Sequence, residues 1–201
     1  MIVVIDYGMG NLRSVGKAIE TLGGKVCISD KPTVIEHAQK LVLPGVGSFG
    51  HAMRELRSRG LVKPIQKAIA AKKPFLGICL GLQLLFESSE ESPRTKGLGV
   101  IRGRVKRFRL KKNLKIPQMG WNQMKILKRT PYFSGVPDRS FFYFVHSFYA
   151  APKEGAVTIG TTNYGISFAS AVQKENVTAV QFHPEKSQKV GLTILKNFIK
   201  Q

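Results

Sequence analysis

Acidic side chains are scarce in this chain. Twelve Asp and Glu stand against 32 Lys and Arg, a formal net charge of +20, and none falls between Ser92 and Pro137. Cysteine is scarcer still: Cys27 and Cys79 are the whole supply, too few for a disulfide framework. Long apolar runs are missing. The longest, Phe75 to Phe86, is too short for a bilayer and is broken by Gln83. The opening MIVVIDYG has no basic n-region and no small-residue cleavage site, so it reads as a first strand and not as a secretory signal. There is no internal repeat, low-complexity tract or linker. These absences argue against a stapled secreted protein, a membrane span and a repeat array. They leave one expected domain, 1–201, large enough for a substantial core, and a cytoplasmic location.

What is present in excess is positive charge, unevenly spread. Arg102, Arg104, Lys106, Arg107, Arg109, Lys111, Lys112 and Lys115 crowd one stretch. Such a field attracts nucleic acid, anionic metabolites or an acidic partner. No nucleic-acid-binding signature accompanies it, so a solvated basic face is the preferred reading. The alternation of Val105, Arg107 and Arg109 against Lys106, Phe108 and Leu110 fits an exposed strand with a basic hairpin tip.

The order of elements indicates the fold. IVVID (2–6), KVCIS (25–29), KLVLP (40–44) and PFLGI (74–78) read as strands, the later ones continuously apolar as buried parallel strands are. Residues 12–22, 49–58, 61–71 and 80–87 carry helical spacing. Alternating strand and helix implies a parallel sheet with crossover helices. From residue 97 the pattern changes. Strand-like runs at 97–108, 119–127, 139–151, 156–165, 166–175 and 177–185 are separated by turn signals, and a last helix covers 189–200. The fold class expected is α/β: a mostly parallel central sheet with flanking helices, plus antiparallel strands in the second half.

Two glycine-rich segments stand at strand ends. GVGSFG (45–50) matches a dinucleotide fingerprint, but it follows the third strand, and no acidic residue lies between Glu55 and Glu87 to take a ribose. The dinucleotide reading is rejected. What remains is a loop whose free N–H groups suit an anion or oxyanion. In FLGICLGLQ (75–83), Cys79 sits two residues from each of Gly77 and Gly81, between strand and helix. That is the thiol form of a nucleophile elbow, with the N-terminal N–H groups of the next helix aimed at the sulfur and favouring thiolate. Cys27, in contrast, suits a small apolar position.

A thiol needs a base. His37 and His51 fall in polar, helical surroundings. His183, in QFHPEK, is expected at the end of the last strand, where Glu185 at i+2 shares its face. A carboxylate beside an imidazole fixes its tautomer and stabilises the imidazolium. His146, in FFYFVHSFY, is the competing base and has no carboxylate nearby. Cys, His and Glu on such a scaffold imply acyl transfer through a thioester.

These residues carry a resemblance. PGVGSFG (44–50), GICLGLQLLFE (77–87) and QFHPEKS (181–187) resemble the oxyanion-loop, nucleophile and base blocks of the class I glutamine amidotransferases, Cys-His-Glu enzymes that hydrolyse L-glutamine to glutamate and ammonia. YGMGNL (7–12), PQMGWN (117–122) and YFVHSFY (143–149) resemble one branch, which passes its ammonia to a (βα)8 cyclase subunit that makes imidazole glycerol phosphate and an aminoimidazole carboxamide ribonucleotide. The resemblance implies Cys79 as nucleophile, His183 as proton shuttle and Glu185 as its orienter. It implies an oxyanion site from backbone at Val46, Gly47 and Leu80, and glutamine binding at Gly47, Gln83, Glu91, Ser147 and Phe148. Asn11, Met119, Trp121, His146 and Lys186 fall in or beside blocks that face the cyclase. Neither metal nor cofactor is implied. Stretch 102–115 lies outside the family's blocks. Two alternatives stay open: the same chemistry feeding a sugar-modifying synthetase, and a non-catalytic basic module that binds nucleic acid.

Overall fold

A computed structural model describes residues 1–109 and 114–201; the expected tip of the basic stretch falls at 110–113, outside the described residues. Strands β1 (Ile2–Ile5), β2 (Val26–Ser29), β3 (Lys40–Gly45) and β4 (Phe75–Cys79) lie parallel in the order β2-β1-β3-β4. The strand beyond β4 comes from the far end of the chain: β12 (Val177–Val180), also parallel to β4. Each of these strands but β2 is buried along nearly its whole length, so its residues alternate between two apolar faces. Val3, Ile5, Leu41, Leu43 and Phe75 pack with residues of α2 (Pro32–His37), α3 (Phe49–Ser58) and α4 (Val62–Ala70). Ile2, Val4, Val42, Leu76, Ile78 and Val180 pack with α1 (Leu12–Thr21) and α6 (Gln188–Lys200). Helices on both faces make the continuous Val/Ile/Leu runs of the first half legible.

The second half extends the sheet in antiparallel fashion. β11 (Ser167–Lys174) pairs with β12, and β10 (Thr158–Asn163), β7 (Gln118–Ile126) and β8 (Ser140–His146) follow in turn. A branch of β5 (Phe86–Ser89), β6 (Ile101–Arg107) and β9 (Phe148–Pro152) joins at β11. The α/β class and the change from parallel to antiparallel are as the pattern implies.

Several local readings are corrected. The helix expected over 80–87 is only α5 (Leu80–Leu84), because Phe86–Ser89 leaves it to pair with β6. The run 139–151 is two strands. It breaks at Ser147, so that β8 pairs with β7 while β9 pairs with β6. Residues 30–39, to which no element was assigned, hold α2, with Pro32 in the first helical turn where its missing N–H costs nothing. The basic strand is not an exposed edge. β6 has a neighbour on each side, Ile101 and Val105 are buried, and Phe108 is packed among Tyr149, Tyr164, Phe168 and His146. Its arginines Arg102, Arg104, Arg107 and Arg109 do reach solvent. Among the described residues, no helix is long and apolar enough to cross a membrane.

The glycines flanking Cys79 are required by close approach. A Cβ at Gly81 would lie 1.8 Å from the Leu43 carbonyl oxygen, and one at Gly77 would lie 2.9 Å from the Ala179 Cβ. Gly81→Ala is therefore expected to destabilise the protein by about 1–3 kcal/mol or more, as overpacking against backbone does. Gly155→Ala, where nothing lies within 4 Å, should leave the urea midpoint nearly unchanged, and the pair of denaturation curves checks both.

Candidate active site

The carboxyl ends of three adjacent parallel strands meet at one place. Gly45 at the end of β3 is the register partner of Cys79 at the end of β4, and Val180 at the end of β12 is the partner of Ile78. Loops leaving these ends carry Val46 and Gly47, Leu80, and His183. Open α/β sheets place their sites at such ends.

Cys79 has φ 54° and ψ −108°, a region that costs an L-residue energy and is held only when its surroundings over-determine it. Pairing along β4 fixes one side and the tight seating of Gly81 against β3 fixes the other. The turn lifts the sulfur to the floor of a cleft of about 330 Å³, in the range of small-molecule sites. Cys79 is otherwise buried, at 6 % exposure. Because α5 is five residues long, its dipole acts on the sulfur through little more than one turn.

Glu185 reaches His183 by a different route from the one expected. β12 ends at Val180, and residues Pro184–Lys186 form a 3-10 turn capped by His183. Curvature of that turn, not strand alternation, brings the Glu185 Oε1 to 2.8 Å from His183 Nδ1. Both side chains are almost fully buried. Ser187 locks the turn: its hydroxyl donates to the His183 carbonyl (2.6 Å) and accepts from the Tyr143 N–H (3.0 Å), while the His183 N–H donates to the Tyr143 carbonyl (2.9 Å). With Nδ1 committed to Glu185, Nε2 is the ring atom left to serve the sulfur. It has no fully formed hydrogen-bond partner, as is common before substrate binds.

The two buried histidines are held in opposite charge states. Burial alone pushes the His183 pKa down. The neighbouring Cys79 sulfur and the Glu185 carboxylate, the latter bonded to Nδ1, outweigh it and raise the pKa to about 10. His183 is thus an imidazolium at neutral pH. For His146 burial wins: despite the Phe148 carbonyl, and helped by the His183 charge, its pKa falls to about 4. His146 Nδ1–H donates to the Phe148 carbonyl (2.8 Å) and Nε2 lies 3.1 Å from the Gln118 amide. A neutral ring offers only a lone pair at Nε2, so that amide must present its NH2 there, which also gives the buried Gln118 nitrogen a partner. Both ring nitrogens of His146 are thus occupied by hydrogen-bond partners.

The cleft gathers every residue that the resemblance linked to glutamine. Gly47, Gln83, Glu91, Ser147 and Phe148 line it, with Val46, Leu80, Pro117, Val145 and His146. Glu91 is no free surface acid. It is half-buried, and its Oε2 accepts from the Phe49 N–H at 2.7 Å, which anchors it at the rim. Gln83 Nε2 donates to the Phe148 carbonyl and to Gln181 Oε1, both at 3.1 Å. Its Oε1 is what it can offer a ligand. Gly47 has φ 93°, which suits glycine.

Of the residues read as facing a partner, Asn11, Met119, Trp121 and Lys186 are exposed. His146 is the correction: at 6 % exposure it lies beneath the cleft. Trp121 is 47 % exposed, which excludes a core role. Its register partner is Tyr143, with rings 6.1 Å apart, and Lys186 Nζ lies 5.8 Å from the Tyr143 ring centre. Phe141, 53 % exposed, continues this apolar face. Sequence reasoning missed Phe141, Tyr143, Gln181 and Ser187. The signal for the first two was SFFYFVH, a strand apolar on both faces whose outer face is only partly covered, with Phe141 exposed and Tyr143 half-buried.

A cysteine on a strained turn at the end of a parallel strand and a buried histidine–carboxylate pair are the arrangement the resemblance to class I glutamine amidotransferases implies. Residues 3–201 match the family "Glutamine amidotransferase class-I", and the chain belongs to that family. Within it, the chain is similar to "Imidazole glycerol phosphate synthase subunit HisH" of Syntrophotalea carbinolica, 52 % identical over 98 % of both chains. The protein of the same name from Methanocaldococcus jannaschii is 50 % identical over 99 % of this chain and 98 % of its own. Among solved structures, the "Structure of PurLQS from Thermotoga maritima" superposes with a TM-score of 0.75 at 17 % identity, covering 99 % of this chain and 97 % of that one. A "Crystal structure of glutamine amidotransferase" gives 0.71 at 19 %, covering 96 % and 95 %. Those two likenesses bear on the fold alone.

The charge states are checked by NMR. His183 should remain protonated from about pH 5 to about pH 9 and lose its proton near pH 10, and His146 should stay neutral down to about pH 4. Since the folded pKa of His183 is raised above the unfolded value near 6.5, its contribution to stability is complete below that value and is lost as pH rises through about 10. In Cys79→Ala the sulfur's share is gone, so His183 should titrate at lower pH than in the wild type.

Proposed function

We propose that this chain is the glutamine-hydrolysing subunit of an imidazole glycerol phosphate synthase, with Cys79, His183 and Glu185 as its catalytic set. The observation that carries the reading is the buried His183–Glu185 pair, with Nδ1 2.8 Å from Oε1, together with Cys79 in the lining of a cleft sized for a small ligand. About 50 % identity to the named synthase subunits over nearly the full chain supports the particular pathway, histidine biosynthesis, over a sugar-modifying synthetase or a nucleic-acid module.

The chemistry follows from the charge states. The Cys79 thiolate attacks the side-chain carboxamide carbon of L-glutamine. Negative charge moves onto the carbonyl oxygen, where the Leu80 N–H and an N–H from the Val46–Gly47 loop stabilise it. His183 gives its proton to the departing nitrogen, ammonia leaves, and a γ-glutamyl thioester remains. Water then attacks that carbon, His183 takes its proton, and the sulfur leaves as glutamate is released. Gly47, Ser147 and Phe148 seat the substrate. Gln83 supplies an oxygen, and Glu91 at the rim suits the α-ammonium.

Ammonia is reactive only while unprotonated, so a partner that takes it directly is required. The exposed apolar face of Met119, Trp121, Phe141 and Tyr143, continuous with Val145 at the cleft, is the proposed seat of a (βα)8 cyclase subunit, with Asn11 and Lys186 at its margins. Apolar patches of this kind mark interaction sites. Both cysteines are free, which fits a reducing compartment, and the cytoplasm is the proposed location.

Cys79→Ala, assayed for glutamate release with the cyclase present, should fall to background; turnover above a tenth of wild type would sink the reading. Without the partner the wild type should be slow, as expected where closure of a loop gates the reaction. Trp121→Ala should weaken binding of the cyclase by about tenfold or more, the usual effect of removing a central aromatic anchor, and calorimetric titration measures it.

A further inference from the structure

Gln181 is fully buried two residues before His183, and no step above uses it. It ends a relay of three hydrogen bonds whose direction is fixed from its far end. The Phe148 carbonyl can only accept. Gln83 Nε2 lies 3.1 Å from it, so Gln83 turns its NH2 that way. The same nitrogen lies 3.1 Å from Gln181 Oε1, which must therefore accept. Gln181 is left with its own NH2 pointing at its remaining neighbour, and that neighbour is the Cys79 sulfur, 3.7 Å from Nε2. A main-chain carbonyl thus decides that the sulfur faces a donor and not an acceptor.

We infer that Gln181 is a further catalytic residue, whose side-chain amide donates to the Cys79 sulfur and holds it as the thiolate, and that Gln83 positions it. A thiolate is a much better acceptor than a thiol, so a donor aimed at sulfur favours the charged form. Bonds to an ionised partner are roughly twice as strong as neutral ones, and burial strengthens them further. The donor is needed because a nearby main-chain carbonyl opposes it. The Val145 carbonyl lies 3.9 Å from the sulfur and, as an acceptor, favours S–H. Gln181 offsets that carbonyl on the opposite side of the balance. Its bond to sulfur weakens as the S–C bond forms and charge passes to the carbonyl oxygen. It strengthens again when the thioester breaks and sulfur departs with the electron pair. The amide therefore assists the sulfur as leaving group in the second half-reaction.

The inference rests on Cys79 being the nucleophile, so the test reads the sulfur without glutamine or partner. The purified full chain is treated with iodoacetamide, whose iodide a thiolate displaces. Modification at Cys79 and Cys27 is followed by mass spectrometry from about pH 6 to about pH 10, spanning the ordinary cysteine range. Gln181→Met, close in shape but without the donor, should slow Cys79 alkylation about tenfold at the acid end, the size of a charge-assisted bond. It should leave Cys27 unchanged and approach the wild-type rate at the alkaline end. A wild-type rate throughout, or a deficit of the same size at every pH, overturns the inference. Gln83→Leu, which keeps Gln181 but frees its amide to turn, should show the same pH-dependent deficit at smaller size; a wild-type profile overturns the positioning role. Should Gln181→Met lose its fold, seen as faster Cys27 alkylation, Gln83→Leu carries the test. If Cys79→Ala abolishes turnover while both glutamine variants alkylate normally, only this inference falls.

Discussion

The turn at Cys79 is the constraint on which the site depends, and it is a packing constraint before it is a chemical one. A cysteine at φ 54° is strained, and strain of this kind persists only where neighbours leave no alternative. Gly81 sits so close to the Leu43 carbonyl that a methyl group has no place, and Gly77 is pressed against β12. Because β4 lies between β3 and β12, the same close approach that fixes the turn also sets the oxyanion loop on one side and the histidine on the other. Tyr7 tightens this arrangement from below. Its hydroxyl donates to the Pro44 carbonyl at 2.9 Å, directly under Gly45, and its acidity is suppressed by burial and by the Cys79 charge.

Charge is placed with equal economy. His183 and His146 both lie within the interior, yet one carries a proton at neutral pH and the other does not. What separates them is the pair of groups beside His183, the Cys79 sulfur and the Glu185 carboxylate. Glu185 is itself buried, with Oε2 unpartnered, and such a group needs a counter-charge nearby. His146 has only carbonyl and amide partners, which suit a neutral ring. A buried site with one cation, one carboxylate and one ionisable sulfur keeps its net charge low while holding the nucleophile beside the proton it will give away.

Strand β8 links this interior to the outside. Its inward residues Phe142 and Phe144 pack against Phe182, and its backbone at Tyr143 is bonded to both His183 and Ser187. Its outward residues Phe141 and Tyr143 belong to the exposed face beside Trp121. A partner seated on that face would press on the strand bonded to His183, and Val145, two residues beyond Tyr143, lines the cleft. The cleft, the His183 turn and the apolar face are thus joined through seven residues of main chain.

Much of this was written in local pattern. The Gly-x-Cys-x-Gly turn, the apolar parallel strands and the His-x-Glu pair are short-range features, and residue type alone restricts what backbone each can adopt. The sequence by itself therefore determined the α/β order and singled out Cys79, His183 and Glu185 as the candidates for nucleophile, base and orienter. It did not determine how they meet. Glu185 was credited to a strand and acts from a 3-10 turn; helix 80–87 stops at Leu84 because Phe86 finds a partner in β6. The charge states of His146 and His183 and the direction of the Gln83–Gln181 relay were invisible for the same reason. Each depends in part on groups tens of residues away in the chain, and only the folding of β12 into the centre of the sheet brings them within the few ångströms over which desolvation and hydrogen bonding act.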